Sequence, residues 1–105
     1  MSGAVLFVGD EPALFERVEE LLAGRGIKCV YANTPTTAAT ALALTSIKAA
    51  LVDSALTAAD ELAFQLSSLT DVPVRVVSRS ESSDDESLWA VLRPALRVKR
   101  AAARF

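Results

Sequence analysis

Ala49-Ala50-Leu51-Val52-Asp53-Ser54 is the stretch whose reading decides the fold. Four apolar residues run without alternation and stop on a carboxylate, with helical patterns on either side. A strand buried on both faces reads as a continuous apolar run, whereas a strand with one wet face alternates. The stretch therefore predicts a central parallel strand with helices above and below it. In open parallel sheets, ligands collect beyond the carboxyl ends of the strands, where the strand order reverses. Asp53 stands at that end of its strand, and Asp10 at the matching end of an earlier one.

Outward from this centre the same alternation of elements recurs. Ala4-Val5-Leu6-Phe7-Val8 is a second continuous apolar run, closed by Gly9-Asp10-Glu11-Pro12. With Asp10 as N-cap, Pro12 falls in the first helical turn, where its missing N–H costs nothing, and Glu11 complements the helix dipole. Leu14, Phe15, Val18, Leu21 and Leu22 recur at helical spacing, and Gly24 and Gly26 stop that helix. Lys28 to Ala32 reads as the second strand, and the alanine-rich stretch from Thr36 to Ser46 as the second helix. A third helix runs from Thr57 or Ala58 to Leu69, with Leu62, Leu66 and Leu69 on one stripe, until Asp71-Val72-Pro73 breaks it. Val74-Arg75-Val76-Val77 is the fourth strand, ending on Ser78.

Ser78 to Ser87, rich in Ser, Asp and Glu, reads as a solvated loop. Beyond it Leu88, Val91, Leu92, Ala95 and Leu96 keep helical spacing, which predicts a final helix kinked or interrupted at Pro94. The expected fold is therefore α/β, a flavodoxin-like three-layer sandwich on a parallel sheet of order 2-1-3-4 with a fifth strand missing. One domain is expected over 1–105, with its core over 1–80, a polar loop over 81–87 and a C-terminal helix over 88–105.

Composition narrows the chemistry. At 105 residues and 51% hydrophobic, the chain supports one core. No apolar run approaches the roughly 20 residues of a membrane helix, so no membrane association is expected. Met1-Ser2-Gly3 does not open a secretory signal, which predicts a cytoplasmic address. With no histidine and Cys29 alone, an internal disulfide, a Cys/His zinc site and a Ser-His or Cys-His nucleophile pair are excluded within this chain. Cys29 reads as a packed core thiol. A net charge of −2 gives no reason to expect a nucleic-acid partner.

If the first and third strands are neighbours, Asp10 and Asp53 converge on one crevice. Two such carboxylates repel unless a cation lies between them, which suits magnesium, an ion that takes oxygen ligands and clamps phosphoryl groups. Ser78, at the end of the fourth strand, would offer a hydroxyl to a phosphoryl group arriving on Asp53. Phosphate acceptance by a carboxylate needs no protein base.

On these residues the chain resembles a response-regulator receiver domain, the phosphoacceptor module of two-component signalling, over roughly Ala4 to Ser80. Val5 to Pro12 is similar to the family's first strand and acidic loop, and Leu51-Val52-Asp53 to its phosphoacceptor strand. The resemblance implies Asp53 as phosphoacceptor, Asp10 and Asp53 as ligands of Mg2+, Ser78 as the switch hydroxyl and a histidine kinase as partner. It also has departures. Where the family carries two adjacent acids after the first strand, Gly9 replaces the first of them, leaving Glu11 as a possible extra acid. The family's fifth strand ends in Lys-Pro, whereas only Arg79 to Phe105 remain here. A single terminal helix leaves that strand and its lysine absent. A rival alignment makes Ala95 to Val98 the strand and Lys99 the phosphate-binding lysine.

Plainer readings stand beside these. Asp10 reads equally as a helix cap, Asp53 as an acid meeting solvent, and Ser78 as an ordinary strand end. The basic tail of Arg93, Arg97, Lys99, Arg100 and Arg104 reads as a solvated helix face, and Trp89 as an anchor in the core or in a subunit contact. A fourth strand with nothing beyond it exposes backbone groups, which makes a homodimer through that side a further expectation. Function is expected to lie in protein contact rather than catalysis, either as a phosphorylated receiver-like module or as a phosphorylation-independent pseudo-receiver for assembly. A nucleotide-binding enzyme is disfavoured because no glycine-rich phosphate loop follows the first strand.

Overall fold

The computed structural model describes residues 3–102, without the side chains of Ser83 and residues 95–102. Four parallel strands, β1 (Ala4–Val8), β2 (Lys28–Ala32), β3 (Ile47–Asp53) and β4 (Val74–Val77), form one sheet in the order β2-β1-β3-β4. The expected α/β class and strand order are those of the structure. β1 pairs with β3 so that Phe7 lies opposite Leu51 and Val8 opposite Val52, while Asp53 lies opposite Val77 on the other side.

Helices cover both faces because β1 and β3 are apolar at every position but two, Lys48 and Asp53. Leu6, Val8, Ala50 and Val52 point to the face packed by α2 (Pro35–Leu44) and α3 (Ala59–Leu69). Val5, Phe7, Ala49 and Leu51 point to the other, packed by α1 (Pro12–Ala23) and α5 (Asp85–Ala102). Cys29 lies in this second layer, where burial first and the nearby Glu19 charge second push its thiol up to about 12. It is the core thiol that the sequence suggests, inert as a nucleophile at neutral pH.

Local signals explain most boundaries. Thr34 opens α2 with a reciprocal cap: its hydroxyl accepts from the Thr37 backbone N–H at 3.0 Å, and the Thr37 hydroxyl accepts from the Thr34 N–H at 3.1 Å. Helix α1 begins one residue later than expected. Glu11 holds the N-cap position in extended backbone, without a side-chain cap, and Pro12 follows, so Asp10 is not the cap. Helix α3 starts after Ala58, which takes a left-handed φ of 57°. Leu62 and Leu66 face the core as expected, but Leu69 is 65% exposed because the helix ends there, beyond the sheet.

The stretch read as a solvated loop contains a helix, α4 (Arg79–Ser83). Ser78 caps it, accepting from the Glu81 N–H at 3.1 Å while Glu81 Oε1 accepts from the Ser78 N–H at 2.9 Å. Ser82 is fully buried and its hydroxyl donates to the Ser78 carbonyl at 2.9 Å. Asp84 separates α4 from α5 and caps the latter, accepting from the Ser87 N–H at 2.9 Å; that bond holds its carboxyl below the usual range.

Helix α5 runs unbroken through Pro94. The carbonyl that this proline leaves without a helical donor belongs to Ala90, and both residues are exposed to solvent. Residues 95–98 are therefore helical, and the rival strand over Ala95 to Val98 is not formed. The Lys99 side chain lies outside the described residues. Leu88 and Leu92 bury α5 against β3 and β4.

Arg25, just past α1, ties this helix down from outside. It lies 4.5 Å over the half-buried Trp89 ring and donates from Nε and Nη2 to Asp85 at 3.3 and 3.2 Å. The ion pair is well exposed, so removing it together with the stacking has a modest effect: Arg25→Ala is expected to cost about 1 kcal/mol and to shift Trp89 emission to the red. Unchanged emission and stability would show that Arg25 does not hold the helix.

Candidate functional site

The site lies at the carboxyl end of the central strands. Asp53 closes β3 and is fully buried, although it is charged. A buried carboxylate requires partners, since desolvation without them costs several kcal/mol. It has two sources. Its Oδ1 accepts from the Ala55 backbone N–H at 3.1 Å, in the turn that leaves the strand. Both of its oxygens accept from Nε of Arg79, at 3.3 and 3.2 Å.

Arg79 is the first residue of α4, and its position follows from the sheet. Asp53 pairs with Val77 at the end of β4, and only Ser78 intervenes before the helix begins. The guanidinium also reaches across to the start of α1: Nη1 donates to Glu11 Oε1 at 2.7 Å. One side chain therefore bridges the end of β3, the start of α4 and the start of α1. The hydrogen bond to Asp53, reinforced by the charges of Asp53, Glu11 and Asp10, raises the guanidinium above even its ordinary value against its own desolvation.

The residues named from the sequence thus occupy distinct positions. Asp53 is central and buried. Glu11 is half-exposed and joined to it through Arg79. Asp10 is exposed and lines a neighbouring cavity of about 300 Å³ with Asn33, Thr34, Leu56, Thr57 and Glu61. Its charge acts on Arg79, and on Tyr31, whose hydroxyl is raised by desolvation first and by Asp10 second. The Ser78 hydroxyl is engaged in the α4 cap and lies 3.1 Å from the Ser80 hydroxyl. Arg79, the residue that completes the site, was not singled out in the sequence. The signal for it was electrostatic: a buried acid ending one strand calls for a cation at the end of its neighbour.

Both oxygens of Asp53, the expected magnesium ligand, are engaged by Arg79. Among the described residues no group of three or more His, Cys, Asp or Glu side chains is placed to hold a metal ion. The cation that meets the Asp53 oxygens belongs to the chain itself. A second acid beside Asp10 would meet a tight fit. A Cβ added at the buried Gly9 would lie 3.0 Å from the Phe7 ring and 3.4 Å from Asp53 Cβ, so a side chain there requires the fully buried phenyl group to give by a few tenths of an ångström.

No family model matches this sequence, and no curated relative does. Solved structures do match in shape. An uncharacterized protein from Neptuniibacter caesariensis superposes with a TM-score of 0.81 at 16% identity, covering 96% of this chain and 92% of that one. A CheY-like response regulator receiver domain from Methylobacillus flagellatus superposes with a TM-score of 0.70 at 21% identity, covering 90% of this chain and 99% of that one. At such identities the likeness is one of fold: a parallel sheet in the order β2-β1-β3-β4 with helices on both faces.

Proposed function

We propose that the chain is a receiver-like signalling module whose output is a protein contact, with Asp53 as its control residue. The observation that carries this reading is a fully buried carboxylate at the switch-point end of the central strand of a receiver-like fold. Asp53, Arg79 and Glu11 stand at the end of β3, the start of α4 and the entry to α1, so a change at Asp53 alters how these three elements are held together. Such a site has the form of a two-state element: it transmits a signal to the extent that its two states differ in contacts. The partners that the family resemblance suggests are a histidine kinase on the input side and a partner protein, or a second copy of this chain, on the output side.

Within this reading the Arg79 ion pair favours the phosphorylation-independent mode. Nucleophilic attack by Asp53 on a phosphodonor requires its carboxylate to shed the guanidinium and meet solvent. Incubation with a small phosphodonor and magnesium, followed by intact mass measurement, is the test. The expected result is an unmodified wild-type chain. A phosphoryl adduct on wild type that is lost in Asp53→Asn would instead make Asp53 a working acceptor.

A further inference from the structure

We infer that Arg79 is the permanent counter-ion of Asp53, a covalently attached cation that stands where a divalent ion would otherwise be required. The inference rests on the receiver-like reading of the site and specifies how its charge is balanced. Two independent observations support it. The first is the pairing: both Asp53 oxygens accept from Arg79 Nε, and Nη1 of the same guanidinium takes Glu11 at 2.7 Å, so one cation engages two acids from different elements. The second is the packing: a Cβ at Gly9 would stand 3.0 Å from the Phe7 ring and 3.4 Å from Asp53 Cβ, so a second acid beside Asp10 enters only if the buried ring gives way by a few tenths of an ångström.

The geometry also explains why arginine suits this position. A guanidinium spreads its charge over a planar fork of donors and serves separate oxygens with separate N–H groups, which an ammonium does not match. Arg79 side-chain exposure of 45% against none for Asp53 gives the arrangement a polarity: the acid is sealed and the cation closes it from the solvent side. Arg79 is a positioning residue. It neutralises Asp53 and, through Glu11, fixes the first turn of α1 relative to α4.

The test uses the full chain in two measurements. In the first, wild type is titrated with magnesium chloride, and both heat of binding and melting midpoint are followed. The expected result is no saturable heat and no shift in midpoint beyond that given by sodium chloride at equal ionic strength. Saturable binding that disappears in Asp53→Asn would overturn the inference. The second is a double-mutant cycle. Arg79→Ala is expected to lower the melting midpoint by several degrees in wild type and to have little effect in the Asp53→Asn background, with Arg79→Lys intermediate. Equal losses in the two backgrounds would make Arg79 an ordinary helix residue and overturn the inference. If Arg79→Ala does not fold, the magnesium titration of wild type still decides. Phosphate acceptance without magnesium binding would refute the proposed mode of function but leave this inference standing.

Discussion

Phe7→Ala is expected to reduce the stability of the fold by about 3–5 kcal/mol, a large share of the roughly 5–15 kcal/mol available to a domain of ordinary stability. The ring is fully buried in the middle of β1, between the helices of the α1/α5 layer and the sheet. Truncation removes its transfer energy and leaves a cavity that β1, paired on both sides, cannot close by moving. The cavity opens beside Gly9, where the Phe7 ring would stand 3.0 Å from an added Cβ. Urea unfolding followed by Trp89 fluorescence measures the loss. A loss below about 1 kcal/mol would mean that the ring does not fill this space.

Leu92→Ala is the second large effect, expected at about 2–5 kcal/mol. Its side chain is fully buried with Leu88 against Val77 and Leu51, although both leucines lie beyond the polar stretch that follows the fourth strand. The result separates two descriptions of the C-terminal helix. If α5 is part of the core, Leu92→Ala shifts the midpoint of a single cooperative transition. If it were an appendage, the sheet would unfold as before and only the helical signal would change. Leu44→Ala serves as the comparison: that side chain is 81% exposed at the end of α2, and its loss is expected to stay within about 0.5 kcal/mol.

The parts of the fold most legible in the sequence were those with continuous apolar runs. β1, β2 and β4 start and stop where the sequence suggests, because each run is bounded by turn residues and both faces of the sheet are covered. The side-by-side placement of β1 and β3, on which the convergence at their carboxyl ends depends, also follows. Helix α4 was obscured by composition. Ser78-Arg79-Ser80-Glu81 carries a Ser-x-x-Glu capping box, a positional signal, but its surroundings are so polar that they read as loop. Leu69 shows the opposite error, a period extended one step beyond the surface it packs against.

The site was legible in one of its two charges. Asp53 stands out because an acid interrupts an apolar run. Arg79 does not, because its partner lies 26 residues away and only the pairing of β3 with β4 brings them together. Glu11 joins the cluster across a still longer span of sequence, 68 residues from Arg79. Pairings of this kind become visible only when strand order is used to ask which chain ends meet.

The single residue between β4 and α4 leaves Arg79 tethered within reach of Asp53. A soluble ion obeys mass action and leaves when it is diluted, whereas a tethered group keeps a high effective concentration at its receptor whatever the bathing solution contains. Chelators and dialysis have no purchase on such a cation. A partner that reaches Asp53 must first draw the guanidinium aside, by turning its side chain or by moving the short helix that carries it.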